Sequence, residues 1–224
     1  MSHFTVMVIG EAPEAQLEPF DENLELPRYQ EKTKAELIQE SKDNIEDYRK
    51  GIYAEYLKNP EEYAKDARPQ HLNYLKEEFP KKLEWTDEEH YKDATSWYEP
   101  ENIDEEGNVY STCNPQAKWD WYSLGGRWSG LIKLKEGAVG TEGMSGVFNN
   151  ETGIDQARKG DIANINEIKT YAVVKNGKWH ERGQMGWFGM SSNEKEEDIW
   201  DKQIEELLAD VSDDTLISIY DCHI

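Results

Sequence analysis

Cysteine is almost missing from this chain: Cys113 and Cys222 are the only two in 224 residues. Two are too few for a disulfide framework or a self-contained zinc site, and a reducing cytoplasm is the simplest home. No apolar run approaches the length a membrane-spanning helix needs. Met1-Ser2-His3-Phe4 has neither the basic n-region nor the apolar h-region of a signal peptide. Basic residues are also scarce, 25 Lys and Arg against 47 Asp and Glu, for a formal net charge of −22. That excess argues against direct binding to duplex nucleic acid or to an anionic membrane, because both are gripped by clustered Lys and Arg. What the chain does hold is aromatic mass: eight Trp, twelve Tyr and five Phe. Burying those rings is enough to order a chain of which 32% is charged. The length suits a single domain, 1–224, with residues 33–100 as an acidic helical insertion within it.

The charge is uneven. Residues 1–110 carry 28 acids and 13 bases, residues 111–190 carry 8 and 10, and residues 191–224 carry 11 and 2. The middle third is therefore a neutral to faintly basic island, and it holds Trp119, Trp121, Trp128, Trp179 and Trp187. A surface that meets an anion has this texture, and so does an ordinary core with few solvated helices.

Phe4-Thr5-Val6-Met7-Val8-Ile9, stopped by Gly10, reads as a buried strand. Residues 11–32 have no period and read as a loop. Leu37, Ile38, Ile45, Tyr48, Ile52 and Tyr53 recur at helical spacing behind a Thr33/Glu36 capping box. Shorter helices are predicted at 60–66, 70–79 and 86–98, the last capped by Thr86 with Glu89. Residues 130–135 alternate like a strand edge. Asn176-Gly177 between two strand-like runs is the type I′ hairpin signal. A helix is predicted to start at Ser192, and Leu216 to Ile224 closes the chain as a strand. The order fits an α+β fold, an antiparallel sheet with helices on one face, and the leading topology is a ferredoxin-like core with an enlarged helical first crossover.

Adjacent antiparallel first and last strands would bring His3 to His223, and alternation puts Asp221 and His223 on one face. His3, Asp221 and His223 are thus candidate ligands for a divalent metal, or an acid–base group without one. Idle, solvated terminal histidines are the plain alternative. Cys222 points the other way, while His71, His90 and His180 read as surface residues. A second constellation is Trp119, Asp120, Trp121, Gly125, Gly126, Arg127 and Trp128. Paired glycines let N–H groups converge on an anion, Arg127 offers a bidentate fork, and the indoles offer faces for stacking. The plain alternative there is a tight aromatic turn whose Arg127 pairs with Asp120. Trp187 and Phe188 read as core plugs or pocket walls, and the glycine-rich loop 140–146 as a weak candidate lid.

Lys118-Trp119-Asp120-Trp121-Tyr122 with Gly125-Gly126-Arg127-Trp128, Met185-Gly186-Trp187-Phe188-Gly189 and the closing Asp221-Cys222-His223-Ile224, together with the opening Ser2-His3-Phe4-Thr5-Val6, resemble a family of uncharacterised bacteriophage and bacterial proteins. The resemblance runs nearly end to end. It implies an origin in phage or mobile DNA, hence an accessory protein acting against host defence in the host cytoplasm, and carries no activity with it. Two functions compete. One is binding, or hydrolysis, of a small nucleotide-like anion at the aromatic, glycine and arginine residues. The other is an acidic nucleic-acid mimic that inhibits a host defence enzyme by occupying a basic partner. Whether the protein is an enzyme is open at this point.

Overall fold

The computed structural model describes residues 2–145, 153–186 and 190–224. In chain order, strand β1 (His3–Ile9) is followed by helix α1 (Pro13–Leu17), strand β2 (Tyr29–Lys32) and helix α2 (Lys34–Tyr48). Then come the short helices α3 (Ala54–Lys58), α4 (Pro60–Asp66), α5 (Pro69–Asn73), α6 (Phe79–Lys82) and α7 (Asp87–Thr95). Strands β3 (Val109–Ser111), β4 (Trp121–Gly126), β5 (Gly140–Glu142), β6 (Met144–Ser145), β7 (Ile154–Arg158), β8 (Ala172–Lys175) and β9 (Lys178–Glu181) follow. The chain then runs through β10 (Gln184–Met185), β11 (Ser191–Ser192), helix α8 (Glu197–Ala209) and β12 (Leu216–His223). Two compact units result: a sheet unit of Met1–Glu25 and Cys113–Ile224, and a helical unit of Leu26–Thr112. The boundary of the helical unit lies outside the expected 33–100 because β2 and β3 pair antiparallel across its two ends.

The sheet unit is an α+β layer. Its main sheet runs β5-β7-β12-β1-β8-β9, with β4 also on β12 and β6 on β4. Most pairings are antiparallel. The first and last strands are neighbours as expected, with His3 opposite His223 and Thr5 opposite Asp221. The sheet departs from the ferredoxin-like plan: β1 and β8 run parallel, Val6 opposite Ala172, β4 and β6 also run parallel, and β12 carries β7 and β4 on its far side. The reason for the first is the crossover, which delivers β8 straight beside β1 and leaves its hairpin partner β9 at the edge. Asn176 and Gly177 turn that hairpin at φ 53° and 70°, as a type I′ turn requires.

Both faces of the central strands are covered, which explains why β1 is apolar without a break. Met7, Ile9, Val173, Ile217 and Ile219 pack with Trp200, Ile204 and Leu208 of α8. Phe4, Val6, Val8, Tyr220 and Cys222 pack on the opposite face with Leu17, Phe20 and Trp119. So helix α8 covers one face and the α1 segment covers the other, and the loop expected over 11–32 contains α1 and β2. Helix α8 starts at Glu197, not at Ser192, because Ser192 pairs with Gln184 in a two-stranded ribbon. Residues 130–135 form single bridges, Ile132 to Ile154 and Leu134 to Ile162, instead of a strand. In the helical unit both predicted capping boxes are formed, Thr33 with Glu36 and Thr86 with Glu89.

Candidate functional site

At the end of β12 the register assembles what the sequence placed in two separate groups. Strand β4 lies beside β12 with Trp121 opposite His223 and Ser123 opposite Asp221. Residues opposite one another share a face, so His3, Trp121, Asp221 and His223 meet on the face that carries α8. Nδ1 of His3 is 2.8 Å from Oδ1 of Asp221. Nδ1 of His223 is 2.6 Å from Oδ1 of Asp120. The two imidazole centroids are 5.0 Å apart and edge to face, and the His3 ring is 6.0 Å from the Trp121 indole. A carboxylate accepts, so each Nδ1 carries its proton and the other ring nitrogen, Nε2, is the one left for exchange.

The carboxylates differ in setting. Asp221 is 2% exposed and its other oxygen accepts the Arg127 backbone N–H at 3.0 Å. Asp120 is held on the rim, where its own N–H donates to the His223 carbonyl at 3.0 Å. The imidazoles are 14% and 15% exposed, and Nε2 of His223 is shielded from solvent with no hydrogen-bond partner among the described residues. Trp121 is half exposed, 50%, beside them.

The glycines do not form an empty anion cradle. Gly125 and Gly126 take φ of 77° and 56°, and a Cβ on them would collide with Asp155 and Asp221 respectively. The converging donors are satisfied by the protein's own anions. Asp155, wholly buried, accepts from Ser129 Oγ at 2.6 Å and the Gly130 N–H at 2.7 Å. Burial pushes its carboxyl above the usual range, against the pull of those hydrogen bonds and of the Gly143 N–H. The three indoles of the motif also part company. Trp119 is core, its Nε1 donating to the Leu17 carbonyl at 3.2 Å, and Trp128 packs against the opposite cluster. Asp120 pairs with His223 and not with the Arg127 side chain, which lies at the surface.

Among the described residues no three His, Cys, Asp or Glu side chains are placed to hold a metal ion. His3, Asp221 and His223 do converge, but both oxygens of Asp221 are already engaged, one with His3 Nδ1 and the other with the Arg127 N–H, so the third expected ligand is spent. The metal expectation is therefore dropped in favour of the acid–base alternative. Burial lifts the Cys222 thiol well above its ordinary value, consistent with a packing role. His90 is buried, not at the surface: Ser41 Oγ lies 3.0 Å from its Nδ1 inside the helical unit. That unit also holds an open pocket of about 330 Å³ between Tyr48, Tyr74, Trp97 and Tyr98. Within the expected lid, residues 140–142 and 144–145 are paired strands. Trp187, Phe188 and Gly146 lie outside the described residues.

Sequence reasoning missed Asp155 and the Asp120–His223 pair. The first had no local signal, because Ile154-Asp155-Gln156-Ala157-Arg158 does not alternate apolar with polar residues. The second had none, since a pairing between β4 and β12 is visible only in three dimensions. Comparison with protein-family models, curated proteins and solved structures finds no match to this chain.

Proposed function

We propose that the protein binds a small nucleotide-like anion over the His3–His223 pair and transfers protons to and from it there, as in hydrolysis of a phosphate ester. The observation that carries this reading is the pair itself. Two imidazoles lie 5.0 Å apart, each anchored through Nδ1 to a separate carboxylate. A carboxylate at Nδ1 fixes the tautomer and leaves Nε2 for proton exchange, the arrangement general acid–base catalysis needs. The His223 Nε2 has no partner among the described residues, and a buried polar atom without one calls for an explanation that a ligand supplies. Half-exposed Trp121 gives a flat face for a base or sugar. The supporting sheet is read as a variant of the ferredoxin-like plan, with a parallel step between β1 and β8. The phage-type resemblance supports an accessory role in a host cytoplasm.

The test is calorimetric titration with adenosine 5′-monophosphate and a turnover assay on phosphodiesters. His223→Asn is expected to lower turnover by about a hundredfold while the melting temperature holds. Equal turnover in the variant and the parent sinks the proposal. A second reading, an acidic decoy for a nucleic-acid enzyme of the host, is favoured by residues 191–224, with 11 acids and 2 bases. It predicts capture of a basic protein that weakens steeply with salt, and no saturable binding of the nucleotide.

A further inference from the structure

The row of residues that contains Asp221 continues across the sheet. Asp221 is opposite Ser123 on one side and Thr5 on the other. The Tyr171 N–H donates to the Thr5 carbonyl at 3.0 Å, and the Arg182 N–H donates to the Tyr171 carbonyl at 2.9 Å. Ser123, Asp221, Thr5, Tyr171 and Arg182 thus form one line of backbone, in which the Tyr171 ring turns to the opposite face beside Phe4, and its far end opens into a cleft. That cleft, about 240 Å³, is lined by Thr5, Lys169, Arg182, Glu197, Trp200 and Asp201 among others.

Arg182 is built into this place. Its N–H is held by Tyr171, and its carbonyl accepts the Lys195 N–H at 2.9 Å. The side chain as a whole is 37% exposed, yet Nε is shielded from solvent and has no hydrogen-bond partner among the described residues. Among the described residues its guanidinium makes one loose ion pair, Nη2 to Glu194 Oε2 at 3.4 Å. Of the other charges at the cleft, Lys169 and Asp201 satisfy each other at 2.7 Å. A guanidinium binds phosphate or carboxylate through parallel N–H bonds. Here one N–H of the fork is dry and unpaired, so it is short of one acceptor.

Resting on the acid–base reading of His3 and His223, we infer that Arg182 holds a second phosphate of the same ligand, so that the substrate class is a doubly phosphorylated nucleotide. Arg182 stands three strands from Asp221 in the row, about 14 Å between backbones. Thr5, at the midpoint of the row, lies under the ligand, and Trp200 is near enough to report binding by fluorescence.

The experiment compares adenosine 5′-monophosphate with adenosine 3′,5′-bisphosphate on the full chain by calorimetry and Trp fluorescence. The parent is expected to prefer the bisphosphate by about tenfold, and Arg182→Gln to erase that preference while binding the monophosphate as before. Arg182→Lys keeps the charge but removes the buried Nε–H. It is expected to lose most of the preference too, and it decides the matter if the glutamine variant does not fold. No preference in the parent, or a preference that survives both substitutions, overturns the subsite. If the parent ignores the monophosphate but binds the bisphosphate through Arg182, the subsite stands and the acid–base reading falls. If His223 governs turnover while Arg182 governs no preference, the reverse holds.

Discussion

The helical unit keeps its best-held carboxylates on the outside, whereas the sheet unit buries two of its own. Glu36 and Glu89 close capping boxes at the surface, and Asp87 meets Lys42. In the sheet unit Asp155 and Asp221 are sunk under the Gly125-Gly126 turn and receive backbone and hydroxyl donors there. The same residue type therefore does two things. Outside, acid satisfies helix N-termini and leaves the fold tolerant of change. Inside, it organises a loop, and the glycines above it are fixed because no Cβ fits.

The largest effect should follow from putting a Cβ over a buried carboxylate. Gly126→Ala combines a positive φ with a collision against Asp221, and should cost about 3 kcal/mol in the sheet unit. Hydrogen exchange read residue by residue should show the loss there and leave α2 and α7 protected. Equal loss in both units would break the distinction.

Next comes Asp155→Ala, which strands the Ser129 hydroxyl and the Gly130 N–H that Asp155 now satisfies. A loss of about 2 kcal/mol is expected from denaturant unfolding of the sheet unit. A variant as stable as the parent would mean that the carboxylate does not organise the turn.

A smaller change belongs to the helical unit. Thr86→Ala removes the acceptor for the Glu89 N–H and should cost about 1 kcal/mol, confined to α7 and its neighbours. Loss of protection in the sheet unit instead would contradict that confinement.

Acid should separate the units by sign. The Thr33 and Thr86 donors hold Glu36 and Glu89 below the ordinary value of 4.5. Their contribution is full above that value and is lost as pH falls through their lowered folded values. Asp155 is opposite: burial raises it above its ordinary 3.8. Its protonation favours the folded state at pH below that value, and the benefit is lost as pH rises through its raised folded value. On acidification from about pH 4.5, amides of α2 and α7 should lose protection before those of Gly130 and Gly143. A common midpoint would refute the contrast.

Much of this was legible in the residues. β1, the capping boxes, the β8–β9 hairpin and β12 announce themselves through local pattern, because each is decided by neighbours within a few positions. The meeting of His3 with His223 also followed, from alternation and one topological assumption. What stayed hidden depends on contacts far apart in the chain. Gly125-Gly126 reads as an empty anion nest until Asp155 and Asp221 are seen filling it. Trp119, Trp121 and Trp128 read as one aromatic wall until the strand sends them to different layers. The parallel β1–β8 step leaves no mark on composition, since strands buried on both faces look alike in either direction.

The central claim is that His3 and His223 act on a ligand through Nε2 while their Nδ1 atoms stay on Asp221 and Asp120. Long-range proton–nitrogen correlation spectra of the imidazoles, recorded with and without adenosine 5′-monophosphate, address it directly. The account predicts that Nε2 of both rings shifts on saturation while the Nδ1 signals stay those of protonated nitrogens. Nucleotide that binds without moving either Nε2, or that does not bind at all, would contradict it.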